Sequence, residues 1–218
     1  MNKRIDKQAF IDKLKDGQTV MVGGFMAVGT PEILIDWMVE ANVQDLTLIC
    51  NDAGFGDKGI GKLIKNNQVK KLIASHIGLN PYAGQRMSEG TLSVELVPQG
   101  TLAERIRAFG AGLGGLLTPT GMHTLVEEGK QVINVEDKPY LLETALGADL
   151  ALIEAKTSDH YGNLIYDKTA RNFNPVMATA AHEVIALTHN LVKTLDPECI
   201  VTPHVFVDAL VMEVHDER

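Results

Sequence analysis

The stretch Gly23-Gly24-Phe25-Met26-Ala27-Val28-Gly29-Thr30-Pro31 constrains the chain most, because it joins a short apolar strand, Thr19 to Val22, to a strongly signalled helix. Thr30 is expected to cap that helix and Pro31 to open it, since proline's fixed φ suits the first turn and its missing N–H is not needed there. Glu32 then faces the positive end of the helix dipole. Ile33, Leu34, Trp37, Met38 and Ala41 follow at helical period and define one buried face. A strand, a glycine loop and a helix start together turn backbone N–H groups toward an anion or a thioester oxygen. The spacing does not fit the dinucleotide fingerprint, G-x-G-x-x-G with an acidic residue about 20 residues on. A plain strand-to-helix turn is the alternative. Against it stand Phe25, Met26 and Val28, apolar side chains on a glycine-rich loop that suit the wall of a ligand site. A Cβ at Gly24 is accordingly expected to obstruct ligand before it disturbs the fold.

The rest of the chain alternates strands and helices. Phe10 and Leu14 give a first amphipathic helix, stopped by Asp16-Gly17. Strands are expected over Asp45 to Cys50, Val69 to Ala74 and Leu92 to Val97, with a short helix at Ile60, Leu63 and Ile64. Thr101-Leu102-Ala103-Glu104 has the capping-box pattern and is expected to start a helix, leaving Gln99 between strand and helix. Gly110 to Gly115 reads as loop, and Lys130 to Leu142 as a hairpin around Asp137-Lys138. Beyond it come a strand at Asp149 to Glu154, a turn at Ser158 to Asn163 and a helix at Pro175 to His182. Strands around Val184 to Leu187 and Leu210 to Val214 end the chain. This alternation implies one α/β domain over residues 1–218, an open and mostly parallel sheet covered by helices on both faces.

In open parallel sheets ligands bind beyond the carboxyl ends of the strands. That rule groups the Gly23 to Gly29 loop with Asn51, Ser75, His76 and Gln99, each of which follows an expected strand. For each one, closing a local turn is the competing role. Asn51 and Gln99 can orient or stabilise a carbonyl oxygen but cannot attack it. The chain has no G-x-S-x-G elbow, Walker loop or H-E-x-x-H, its seven histidines are scattered, and Cys50 and Cys199 lack metal or redox spacing. No metal site is expected. A net charge of −8 argues against nucleic acid and anionic membranes. The charged start and the absence of a long apolar run point to a cytoplasmic protein. On its residues alone the chain reads as half of an active site.

Several motifs together resemble the α subunit of family I CoA-transferases, the 3-oxoacid and acetate CoA-transferase group. These are Asp16-Gly17, Val20 to Val22 with Gly23-Gly24-Phe25 and Gly29-Thr30-Pro31, Asn51-Asp52, and Val97 to Arg105. Thr118-Pro119-Thr120-Gly121, Glu128-Gly129-Lys130 and Ala170-Arg171-Asn172-Phe173-Asn174-Pro175 extend the likeness over nearly the whole chain. The resemblance implies a heteromer with a β subunit, such as α₂β₂, whose Ser-Glu-Asn-Gly motif carries the nucleophilic glutamate. That motif is absent here, and Ser88-Glu89-Gly90 reads as a surface turn. It further implies CoA transfer between a short-chain acyl-CoA (acetyl, butyryl or acetoacetyl) and a free acid, by a ping-pong route through a glutamyl-CoA thioester on the partner. Coenzyme A or acyl-CoA is then a substrate, with no tightly bound cofactor.

Within this resemblance Gly23, Gly24, Phe25, Met26, Ala27, Val28 and Gly29 take CoA, while Gln99 and Asn51 support the substrate carbonyl. Leu113-Gly114-Gly115 looks more like the acetate and butyrate enzymes than the succinyl-CoA ones. His123 and Phe109 stand where relatives tend to have glycine, through loop drift or to reshape the acyl pocket. Alternatives are a succinyl-CoA or 3-oxoadipate CoA-transferase α subunit, a non-catalytic acyl-CoA-binding subunit, and a self-sufficient sugar-phosphate isomerase or hydrolase. For the last, Lys168 with Asp167 is a poor pair, because neighbours in a strand point to opposite faces.

Overall fold

A computed structural model describes residues 3–213. Its main sheet contains β1 (Thr19–Val22), β2 (Leu46–Ile49), β3 (Val69–Ala74), β4 (Ser93–Leu96), β8 (Ala148–Asp159), β10 (Ala181–Val192) and β11 (Ala209–Met212), in the order β11-β10-β8-β1-β2-β3-β4. Every neighbouring pair along this path is parallel, and only β9 (Leu164–Ile165) runs antiparallel, against β8. The expected open, mostly parallel sheet is therefore what the chain forms.

Alternation along the strands feeds two separate cores. Val20, Val22, Leu46, Leu48, Leu150 and Leu152 face one of them, together with Leu34, Ile35 and Met38 of α2 (Glu32–Ala41). The helices α1 (Lys7–Ile11), α3 (Gly61–Lys65) and α4 (Pro81–Ser88) add Phe10, Leu63, Ile64 and Ala83 on that side. Met21, Ile49, Ala151 and Ile153 point the other way, onto Leu102 and Ile106 of α5 (Gln99–Gly110) and Met177 of α6 (Asn174–Met177). A strand buried on both faces has no polar side to show, which is why these segments read as short continuous apolar runs.

A second, antiparallel sheet holds β5 (Gly115–Thr118), β6 (Val132–Val135) and β7 (Lys138–Thr144) in the order β5-β7-β6. The expected hairpin is β6–β7, with its turn one residue earlier than expected, at Glu136 and Asp137, whose φ of 48° and 62° are the positive pair of a type I′ turn. Arg105 Nε ties this sheet to α5 by donating to Thr144 O at 2.9 Å.

Four local expectations are corrected. Thr30 does not cap α2: its hydroxyl turns back and donates to Gly23 O at 3.2 Å, and no side chain caps that helix. The capping box does not form, because α5 already begins at Gln99 and Thr101 is buried inside its first turn, while Glu104 instead pairs with Arg107 at 3.1 Å. The helix expected over Pro175 to His182 is only Asn174–Met177, since the chain from Ala181 onward is drawn into a twelve-residue strand beside β8. The last strand ends at Met212, and Val214 lies outside the described residues. Sequence reading also missed α4, although Asn80-Pro81 announces it. The Asn80 side chain accepts from Tyr82 N at 3.0 Å and Ala83 N at 3.2 Å, with Pro81 in the first turn. Glu89 is the residue that closes α4, as the surface-turn reading of Ser88 to Gly90 requires.

Candidate functional site

The glycine loop closes on itself as a tight turn. Phe25 N donates to Val28 O at 3.0 Å and Val28 N returns to Phe25 O at 2.9 Å, with Met26 and Ala27 at φ of 48° and 64°. Beneath the turn lie two asparagines that arrive from about 145 positions further along the chain. Asn172 spans both arms, accepting from Gly24 N at 3.2 Å and donating to Val28 O at 2.9 Å. Asn174 is fully buried, donates to Gly29 O at 2.9 Å and accepts from Glu154 N at 3.0 Å.

This packing gives the glycines a different reason from the one expected. A Cβ on Gly23 would lie 1.8 Å from Asn174 Oδ1, and one on Gly24 would lie 1.9 Å from Thr30 Oγ1, so both positions are filled by the protein itself. Gly29 is closed off in the same way by Ala170 O at 2.7 Å. The part of the loop that faces outward is Phe25, Met26 and Val28, all 40% exposed or more, with Ala27 half-buried between them.

Asn51, Ser75 and Gln99 converge at the carboxyl edge beside this loop. Ser75 Oγ donates to Asn51 O at 2.7 Å, and Gln99 Nε2 donates to Asn51 Oδ1 at 2.6 Å. Asn51 Nδ2 in turn donates to Asp52 Oδ2 at 2.7 Å, and the same oxygen accepts from Met26 N at 2.9 Å. His76 is exposed and joins the group through its backbone, which pairs with Asp52. Asp52, Asn172 and Asn174 are the residues that reading the sequence left without a role, although each lies inside a quoted motif.

Gln99 and Phe25 also line an open cavity of about 520 Å³. Phe173, Pro175, Val176 and Val201 supply apolar walls, and Arg107 and Arg171 bring positive charge. Among the described residues no carboxylate, thiol or serine lines it, and the one hydroxyl, that of Thr179, donates to Val176 O at 2.7 Å. Cys50 is buried nearby under the loop, where burial first and the Asp52 charge second hold its thiol well above the ordinary range, so it supplies no thiolate. His123 and Phe109 do not line the cavity. His123 sits in an exposed turn at φ 61°, a conformation that favours glycine, and the Phe109 ring covers Gly147 and meets His182 edge-on.

On the opposite face of the same edge, His189 lies between Glu154, 3.3 Å from its Nε2, and Glu213, which contacts Nδ1. Partial burial pulls the His189 pKa down, but hydrogen bonds and charge from Glu154 and Glu213 outweigh it and hold the group above 6.5. Burial raises the Glu154 carboxyl more than His189 lowers it. Both groups bind protons more tightly folded than unfolded, so their stabilising contribution is full at low pH and declines as pH rises through the folded values. Thermal midpoints should therefore fall as pH rises above the ordinary histidine range. In His189→Gln this part of the profile should flatten when melting is followed across that rise, and an unchanged slope would assign the pH dependence to other groups.

The fold and the site define an α/β chain that gathers neutral amide donors and a tight apolar loop at the carboxyl edge of a parallel sheet. Among the described residues no helix is long and apolar enough to cross a membrane. The family model for coenzyme A transferase matches residues 5–213. The chain is 54% identical over 200 residues to acetate CoA-transferase subunit alpha of Escherichia coli (strain K12), covering 91% of each chain. It is 53% identical over 201 residues to the acetoacetyl-CoA:acetate/butyrate CoA transferase alpha subunit of Clostridium acetobutylicum, covering 91% of this chain and 92% of that one. An acyl-CoA transferase from E. coli O157:H7, solved as a thioester complex with CoA, shares the fold with a TM-score of 0.90 at 23% identity; the match covers 97% of this chain and 47% of that one. The chain belongs to the coenzyme A transferase family.

Proposed function

We propose that this chain is the α subunit of a heteromeric CoA-transferase that moves CoA between a short-chain acyl-CoA (acetyl, butyryl or acetoacetyl) and a free carboxylic acid. The observation that carries this reading is the cavity beside Gln99, which has donors and apolar walls but no nucleophile. A glutamate of a β subunit enters from outside and attacks the thioester carbonyl, expelling CoA thiolate and leaving a mixed anhydride. The thiolate then attacks the glutamyl carbonyl and releases the acid, so that CoA is carried as a glutamyl thioester on the partner. A second carboxylate enters and the steps run in reverse. Gln99, anchored on Asn51, holds the substrate oxygen as charge develops on it, and the Phe25–Val28 tip of the glycine loop contacts CoA.

The acyl preference follows the two relatives at 54% and 53% identity, named for acetate and for acetate or butyrate with acetoacetyl-CoA. We read the chain as a single cytoplasmic domain that works as an α₂β₂ heteromer, with CoA as substrate and no tightly bound cofactor. Purified alone it should show no transfer, because the attacking group is on another chain. Mixed with its β subunit and acyl-CoA, the complex should carry a thioester that borohydride reduces and that peptide mapping places on the partner alone. Transfer by the single chain, or an adduct on any of its residues, would overturn the assignment.

A further inference from the structure

Asp52 is 8% exposed and among the described residues pairs with no cation. Burying a carboxylate is costly unless hydrogen bonds replace its water. Here three N–H groups do so: Gly54 N on Oδ1 at 2.9 Å, and Met26 N and Asn51 Nδ2 on Oδ2 at 2.9 and 2.7 Å. A carboxylate has acceptors on both oxygens and no donor, whereas an asparagine at this position would have to turn an NH₂ toward one of these donors.

The consequence passes along the side chains. Facing Asp52, the Asn51 amide must present its nitrogen, because its oxygen there would meet another oxygen at 2.7 Å. Its carbonyl is thereby turned to Gln99, which must answer with its own nitrogen, at 2.6 Å. One N–H of Gln99 Nε2 is spent on this bond and the second remains for a ligand in the cavity that Gln99 lines. With the Asn51 amide reversed, Gln99 would have to offer its oxygen to Asn51, and its NH₂ would swing away.

We propose that Asp52 is a positioning residue whose acceptor-only carboxylate fixes the Asn51 amide, and through it the atom that Gln99 offers to the substrate oxygen. Its negative charge does not itself favour an oxyanion; the contribution is orientation. This inference rests on the CoA-transferase reading above for its kinetic consequence, but not for its geometry.

The test compares wild type, Asp52→Asn, Gln99→Ala and the double variant, each assembled with the β subunit and assayed over a range of acyl-CoA. Asp52→Asn should lower kcat by roughly tenfold or more while KM moves less than about threefold, since the lost interaction belongs to the transition state. In the Gln99→Ala background it should cost almost nothing further, because the residue through which it acts is gone. Losses that multiply, or wild-type turnover in Asp52→Asn, would overturn the proposal. NMR of the wild-type chain alone reads the orientation directly and serves if Asp52→Asn does not fold. Asn51 side-chain amide protons should show a cross-peak to the Met26 backbone N–H, and the absence of that cross-peak with both signals assigned would overturn the proposal. An assembled wild type without transferase activity would instead overturn the functional reading and leave the NMR result to decide the geometry.

Discussion

Replacing Gln99 with alanine should lower turnover of the assembled enzyme by roughly tenfold to a thousandfold, the range for loss of one oxyanion donor. That range corresponds to about 1.4–4 kcal/mol of barrier. The measurement is clean because Gln99 is exposed, at the first turn of α5, and its truncation opens no hole in either core. The carbonyl of buried Asn51 loses its partner, so stability should fall by about 1–3 kcal/mol, and turnover is compared well below the variant's melting transition so that the loss can be read as chemistry. Asn51 offers no such separation: it is 2% exposed, and truncating it strips partners from both Gln99 and Asp52. Steady-state rates alongside melting curves check the prediction, and unchanged turnover would mean that the side chain only closes its turn.

The second large effect concerns folding. Gly24→Val should destabilise the chain by about 3–5 kcal/mol, combining an unfavourable backbone conformation with an overfilled space. Gly24 stands at φ +117°, and the new Cβ would lie 1.9 Å from Thr30 Oγ1 and 3.2 Å from Thr30 Cα. Thr30 has no room to retreat, being 5% exposed with its hydroxyl committed to Gly23 O. Losses of this size correspond to roughly 10 °C in melting temperature for a chain of this length. Gly114→Ala is the control, because nothing lies within 4 Å of its added Cβ. An unchanged melting temperature for Gly24→Val together with weakened CoA binding would return the glycine to the ligand-facing role expected from sequence.

Much of the site was legible in order along the chain. Each of Gly23, Asn51, Ser75 and Gln99 follows a segment legible as a short strand, and the rule for parallel sheets then gathers their positions at one edge. Local chemistry misled where it had competition. Thr30 and Thr101 both carry the side chain of an N-cap, yet one is recruited by Gly23 O and the other is buried within a helix that begins two residues earlier. His182 and its neighbours lost their expected helix because pairing along β8 satisfies ten register positions, a contact partner invisible in a local window.

The sequence by itself determined the α/β alternation, the unit of β1, loop and α2, the lack of a Ser-Glu-Asn-Gly or G-x-S-x-G motif and the set of strand ends that could share a site. Those features depend on side-chain periodicity, turn residues and residue type, all of which act over a few positions. Only the tertiary structure decided that β8 inserts beside β1, that Asn174, Thr30 and Ala170 fill the space which Gly23, Gly24 and Gly29 leave open, and that Asp52 links Met26 to Asn51 and Gln99. The physical reason is that volume and hydrogen-bond capacity are settled between surfaces that meet only after folding. A buried amide or carboxylate acquires its role from the donors and acceptors that packing brings to it.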